Sequence, residues 1–180
     1  MGATSPLRAI SVEEYLSNPE YRHSEYVDGE VVALNVGTKN YSRIQGKCYR
    51  KLDEYLDQHR GGYAATELHC RLRIYGILRF RLPDVCVVLN DADPDADYLD
   101  RAPDFVVEIR SPEDSFTGQL WKMNDYFANG TRLAWLILPE EQSVIVLTPD
   151  GPPKSFTDTE TLDGGNVLPG LSVAVADLFV

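Results

Sequence analysis

Apolar and polar positions recur along this chain with two periods, and the switches between them mark its elements. Ser11-Val12-Glu13-Glu14 is a capping box that opens a short helix to about Ser17. Between Glu25 and Leu34, Asp28-Gly29 separates two strand-like runs, a strong short hairpin signal. From about Tyr41 to His59, the residues Tyr41, Ile44, Cys48, Leu52, Tyr55 and Leu56 recur at threes and fours, so a long amphipathic helix is expected, ended by Gly61-Gly62. Strand-like pieces follow near Tyr63 to Ile74 and Leu78 to Leu82, with Tyr75-Gly76 as the turn between them. Pro83 fits an edge or bulge rather than a central ladder, and the apolar run Val85 to Leu89 resumes after Asp84, which places Asp84 beside a break in a sheet.

Downstream, Phe105 to Ile109 reads as a buried strand, and Ser111-Pro112 ends it. A helix from about Phe116 to Asn129 is expected to bury Leu120, Met123 and Phe127, with Lys122 off that stripe and Gly130 as the stop. Leu133 to Leu138 and Ser143 to Leu147 flank Pro139-Glu140-Glu141-Gln142 as a second hairpin. Thr148 to Gly165 is polar and rich in Pro and Gly, and Leu171 to Val180 is an apolar tail expected to dock on the body. The chain contains no internal repeat and no low-complexity linker.

Two charges interrupt the apolar strand. Side chains alternate along a strand, so Val106, Glu108 and Arg110 share a face and Glu108 and Arg110 are expected to point together. Breaking a buried ion pair costs roughly 3 to 5 kcal/mol, so each group needs a counter-charge or a metal. Asp84, from a neighbouring strand, and Lys122, from the helix that follows, are the candidate partners. Two carboxylates can share a hard cation such as Mg²⁺, which prefers oxygen ligands and often uses only one or two from the protein. A nearby cation, Lys122 or Arg110, would stabilise charge in the transition state. The other arrangement open to these residues is structural, with Glu108 paired to Arg110 or Lys122 inside a tight core.

Asp104 shares a face with Glu108, but four residues of strand separate their Cα atoms by about 13 Å, so it reads as a strand-entry residue that is solvated or bonded to backbone. Asp91, Asp93 and Asp95 resemble the opening of a calcium loop, yet Ala96 and Ala102 stand where that loop needs Gly and Glu. His23, His59 and His69 have no Ser or Cys partner at a diagnostic spacing.

Composition narrows the classes. The 180 residues, 43% hydrophobic and 25% charged, suit one globular domain over 1–180. No apolar run approaches the ~20 residues of a membrane span. The first eight residues lack the apolar core of a signal peptide, and Cys48, Cys70 and Cys86 read as small buried hydrophobes in a reducing cytoplasm. A net charge of −11 opposes non-specific attraction to a polyanion.

In order, Ser11 to Leu16, Glu25 to Val31, Leu82-Pro83-Asp84-Val85, Ala102 to Pro112, Lys122 with Tyr126, the Trp135 strand and Leu168-Pro169-Gly170-Leu171 resemble the Uma-two family, a bacterial group of the PD-(D/E)XK restriction-endonuclease-like superfamily. The resemblance implies an α/β (α+β) fold: a restriction-endonuclease-like mixed β-sheet flanked by helices, with an N-terminal hairpin and a C-terminal β-extension. It implies Asp84 and Glu108 as ligands of Mg²⁺ or Mn²⁺, Lys122 as the basic residue moved onto the helix, Glu25 as a further acid, homodimers, and hydrolysis of DNA phosphodiesters. Two positions depart from the family pattern. Arg110 stands where the family has an apolar residue and many nucleases of the superfamily have Lys, and Tyr41 stands where His is expected. The alternative function is a non-catalytic module that keeps the fold and recruits a protein partner through its acidic surface.

Overall fold

The computed structural model describes residues 9–34, 37–59 and 61–179. Helix α1 (Val12–Ser17) starts at the predicted cap, where Ser11 Oγ accepts from the Glu14 amide at 3.1 Å. Strands β1 (Ser24–Val27) and β2 (Glu30–Ala33) form the predicted hairpin. Asp28 and Gly29 carry φ of 53° and 92°, the left-handed pair that lets a two-residue turn match the twist of its strands. Helix α2 (Lys39–His59) buries Ile44, Cys48, Leu52 and Leu56.

The expected strand from Tyr63 to Ile74 divides into β3 (Tyr63–Ala65) and β4 (Cys70–Ile74), which belong to different sheets. Glu67 causes the division: its φ of 51° breaks the extended run, and its amide is bonded to the Pro83 carbonyl at 3.0 Å. Strand β5 (Ile77–Arg81) returns beside β4, and β6 (Val85–Val88) and β7 (Phe105–Ile109) follow. After helix α3 (Phe116–Phe127) come β8 (Leu133–Leu138), β9 (Ser143–Leu147) and β10 (Lys154–Phe156).

The central sheet has the order β10-β9-β8-β7-β6-β3. Only β7 and β8 run parallel, the two strands that α3 connects. One face, with Val85, Val107, Ile109 and Trp135, packs with α2, and the other, with Cys86, Val106 and Leu136, packs with Met123 and Tyr126 of α3. All three cysteines are buried and free. A C-terminal ribbon, β11 (Thr161–Gly164) with β12 (Leu168–Ala174), ends in α4 (Ala176–Phe179) and completes the α2 side. The expected β-extension is present, and the polar stretch before it supplies β10 and β11.

The second sheet, β2-β1-β5-β4, has two chemically different faces. Tyr26 and Phe80 pack against Tyr15, with ring centroids 5.2 and 5.3 Å away. Glu25, Arg79 and Arg81 extend from the alternate positions and meet α3. This reverses part of the expected helix face. Alpha-3 buries Gln119, Lys122, Met123, Asp125 and Tyr126, whereas Leu120 and Phe127 are only half-buried and Trp121 is exposed. Lys122 and Asp125 turn inward because ionic partners wait there, an alternative that a hydrophobic period cannot register. Among the described residues, no helix is long and apolar enough to cross a membrane.

Leu52 is fully buried in the α2–sheet core. Leu52→Ala is expected to lower stability by about 2 to 5 kcal/mol in urea unfolding. A loss below about 1 kcal/mol would contradict this packing.

Candidate metal centre

Antiparallel pairing sets Val85 opposite Val107 at the last step of the β6–β7 ladder, which brings the next residues, Asp84 and Glu108, near each other. Both residues line one cleft of about 270 Å³. The β-sheet break at Pro83 frees Asp84 from the ladder and lets its carboxylate turn back. Asp84 Oδ2 accepts from the Ile109 amide at 2.6 Å, and Oδ1 accepts from the Tyr41 hydroxyl. Tyr41 therefore contacts one proposed ligand from the position where His was expected. Gln45 steadies the same corner by donating to the Asp84 carbonyl at 3.0 Å.

Glu108 is buried on the α3 face of β7. Tyr126 donates to its Oε1 and Lys122 Nζ to its Oε2, each at 2.8 Å. Lys122 also meets Glu25 Oε1 at 2.9 Å and the Leu82 carbonyl at 3.2 Å. An ammonium has three N–H donors, so these contacts occupy all of them. Beyond Glu25 the charges continue to alternate. Arg81 binds Glu25 at 2.7 Å and Asp125 at 2.6 Å, and Arg79 joins Asp125 at 2.7 Å to Asp28 at 2.6 Å.

The balance around Lys122 is uneven, because Glu25, Asp84 and Glu108 all act on one ammonium. Burial opposes the charge of Lys122, but these acids outweigh it and hold its pKa above the ordinary value. For Glu25, burial is outweighed by Lys122 and Arg81, and the carboxyl lies below its usual range. Burial raises Asp84 despite Lys122, Tyr41 and the Ile109 amide. Glu108 is pushed up to about 8 by burial, against the pull of Lys122 and with the added repulsion of Asp84 and Glu25. The negative charge of this corner exceeds what the 2.8 Å contact with Lys122 offsets, so Glu108 holds a proton more tightly than a solvated carboxyl does.

The donor set fits a hard divalent cation. It is all oxygen, it carries more acid than one lysine offsets, and each named carboxylate oxygen retains acceptor capacity beyond its hydrogen bond. Gln119 adds an independent sign: it lines the cleft, its Nε2 donates to Asp114 at 2.9 Å, and its buried Oε1 has no partner among the described residues. Among those residues no group of three or more His, Cys, Asp or Glu side chains is arranged for a metal. Asp84 and Glu108 could hold such an ion from this cleft as a pair, and water or substrate oxygens would have to supply its other ligands.

Arg110 is not brought to this cluster. Strand β7 ends at Ile109, so the alternation that would align Arg110 with Glu108 stops there, and the guanidinium turns to Glu141 at 3.4 Å and Glu140 at 3.9 Å. It neither neutralises Glu108 nor lines the cleft. Asp104 binds the Leu89 amide at 2.8 Å and pairs with Arg101 and Arg132, as a strand-entry residue should. The Asp91 to Asp97 loop is largely exposed. Arg81, Asp125 and Gln119 are the site residues that sequence reasoning missed. The usable signals were the Arg79–Arg81 spacing on one strand face and the three-residue step from Lys122 to Asp125 on one helix face.

Because Glu108 binds its proton more tightly in the folded state, that stabilisation is complete below the unfolded pKa of about 4.3 and is lost as pH rises to about 8. Chemical denaturation across this window is expected to show the wild type losing ground to Glu108→Gln by up to ~1.4 kcal/mol per pH unit. Parallel stability curves would contradict the raised pKa.

Three comparisons bear on what this arrangement is. A crystal structure described as a putative nuclease belonging to DUF820, from Anabaena variabilis, superposes with a TM-score of 0.83 and 27% identity, covering 94% of this chain and 97% of that one. An uncharacterized protein of Synechocystis, slr1290, is 29% identical over 111 residues, a segment that is 61% of this chain and 57% of that relative. Residues 12–176 match the family Uma2, described as putative restriction endonuclease, and a match of this extent means that the chain belongs to the Uma2 family.

Proposed function

We propose that this chain is a metal-dependent endonuclease that hydrolyses DNA phosphodiester bonds, using Mg²⁺ or Mn²⁺ held by Asp84 and Glu108. The observation that carries the reading is that these two buried carboxylates, one just before β6 and one in β7, line a single cleft with the Lys122 ammonium. Family membership and the nuclease-described structural relative support the same reaction class.

A divalent cation bound there would lower the pKa of a coordinated water and offset charge on a phosphate oxygen. The chain's own groups prepare the cleft for it. The Ile109 amide and Tyr41 fix the Asp84 carboxylate, and Tyr126 and Lys122 fix that of Glu108. Glu108 must release its proton before it can ligate, and Lys122 compensates the resulting anion. The three N–H groups of Lys122 are already engaged, so its role toward a phosphate is electrostatic unless Glu25 yields its place.

The proposal gives linked expectations. Calorimetric titration with Mn²⁺ should show uptake that strengthens as pH rises toward about 8, with proton release from Glu108. Plasmid and single-stranded DNA incubated with Mg²⁺ or Mn²⁺ should be cut by the wild type and about a hundredfold or more slowly by Asp84→Asn. Absence of both cleavage and metal uptake would remove the nuclease reading and leave the non-catalytic module, which the net charge of −11 favours.

A further inference from the structure

The β4–β5 turn carries a side chain that folding alone does not explain. Tyr75 and Gly76 have φ of 50° and 83°, the conformation for which Asn-Gly is the favoured pair. A bulky residue is strained there, and burial does not compensate, because the Tyr75 ring is fully exposed. The two-residue turn needs this conformation but not the ring, so Tyr in place of Asn points to a role for the side chain. Beside Tyr75 lies a groove of about 800 Å³ whose opposite wall is the outer face of α3, where Trp121 is 67% exposed.

This groove differs electrostatically from the chain as a whole. Arg73, Arg79 and Arg81 line it with Asp28 and Asp125, and Glu25 also binds Arg81, so its charges nearly balance on a protein of net −11. Arg79 and Arg81 are held by those aspartates, while Arg73 is exposed at the rim. Arg81 also lines the Asp84–Glu108 cleft, and α3 supplies Lys122 to the cleft and the adjacent Trp121 to the groove. A strand leaving the cleft would therefore meet two exposed aromatic rings and the Arg73 guanidinium at the rim.

We propose that this groove binds single-stranded nucleic acid by stacking unpaired bases on Tyr75 and Trp121, with Arg73 contacting the backbone, and so gives the nuclease a preference for substrates with unpaired bases next to the scissile position. The identity of the occupant rests on the nuclease reading. Stacking suits an acidic protein, since every base has a π-face and the contact needs few phosphate neutralisations. A paired duplex keeps its bases stacked on one another and does not offer them to the rings.

The test uses the full chain in chelator, so that binding is read without cleavage. Trp135 is buried, leaving Trp121 as the accessible tryptophan, and oligothymidylate should quench it saturably. Tyr75→Asn removes the ring at a position where Asn tolerates the backbone, and should weaken binding about tenfold or more. Trp121→Ala, read by anisotropy of a dye-labelled oligomer, should do the same. The same oligomer annealed to its complement should bind at least about tenfold more weakly. Raising salt from about 50 to about 200 mM should cost only about three- to sevenfold in affinity, the slope of one or two phosphate contacts. No quenching, equal affinity for the duplex, or self-association that Tyr75→Asn abolishes while oligomer binding is absent would each overturn the proposal, the last by assigning the face to a second copy. Quenching without Asp84-dependent cleavage would uphold the groove and defeat the nuclease reading. Asp84-dependent cleavage without quenching would do the reverse.

Discussion

One ammonium organises the polar half of this molecule. Lys122 lies among Glu25, Glu108 and the carbonyl of Leu82, joining α3, β1, β7 and the residue that follows β5. Removing one member of a buried ion pair costs roughly 3 to 5 kcal/mol, so the second sheet and α3 are bound to each other through charge as well as apolar contact. Arg81 and Asp125 continue the alternation outward to Arg79 and Asp28 at the tip of the first hairpin. The cost of burying these groups is met by near-complete pairing, and the raised Glu108 and Asp84 carboxyls mark the place where negative charge exceeds its compensation.

That excess gives the cleft its chemistry. A fully neutralised network would be a structural core, whereas this one keeps two carboxylates, one just before β6 and one in β7, whose protons burial and mutual repulsion hold more tightly than usual. A divalent cation held by Asp84 and Glu108 would offset their negative charge in place of a proton. The aromatic groove next to the cleft is built on the same helix, so the geometry that positions Lys122 also positions Trp121.

Much of the fold was legible because its signals are local. The Ser11 cap, the Asp28-Gly29 turn and the α2 stripe each depend on residues a few positions apart, and the structure forms all of them. Asp84 and Glu108 were legible as an unusual pair of acids, one beside a sheet break and one inside an apolar strand. What the sequence concealed depends on contacts between distant segments. The inward turn of Lys122 and Asp125 follows from Arg81 and Glu25, roughly 40 and 100 residues earlier in the chain. The departure of Arg110 follows from where the β7 ladder stops, and a face assignment by alternation assumes that the strand continues. The division between β3 and β4 turns on one left-handed residue, Glu67, a conformation that its identity does not announce.

The central claim is that Asp84 and Glu108 share one cation. The direct measurement is an anomalous difference map from crystals grown with Mn²⁺ above pH 8, where Glu108 is ionised. A single peak is expected in the cleft lined by Asp84 and Glu108, at the short oxygen distances typical of a hard divalent ion, about 2.0 to 2.6 Å. A map without density there, with Glu108 still tied only to Lys122 and Tyr126, would contradict it.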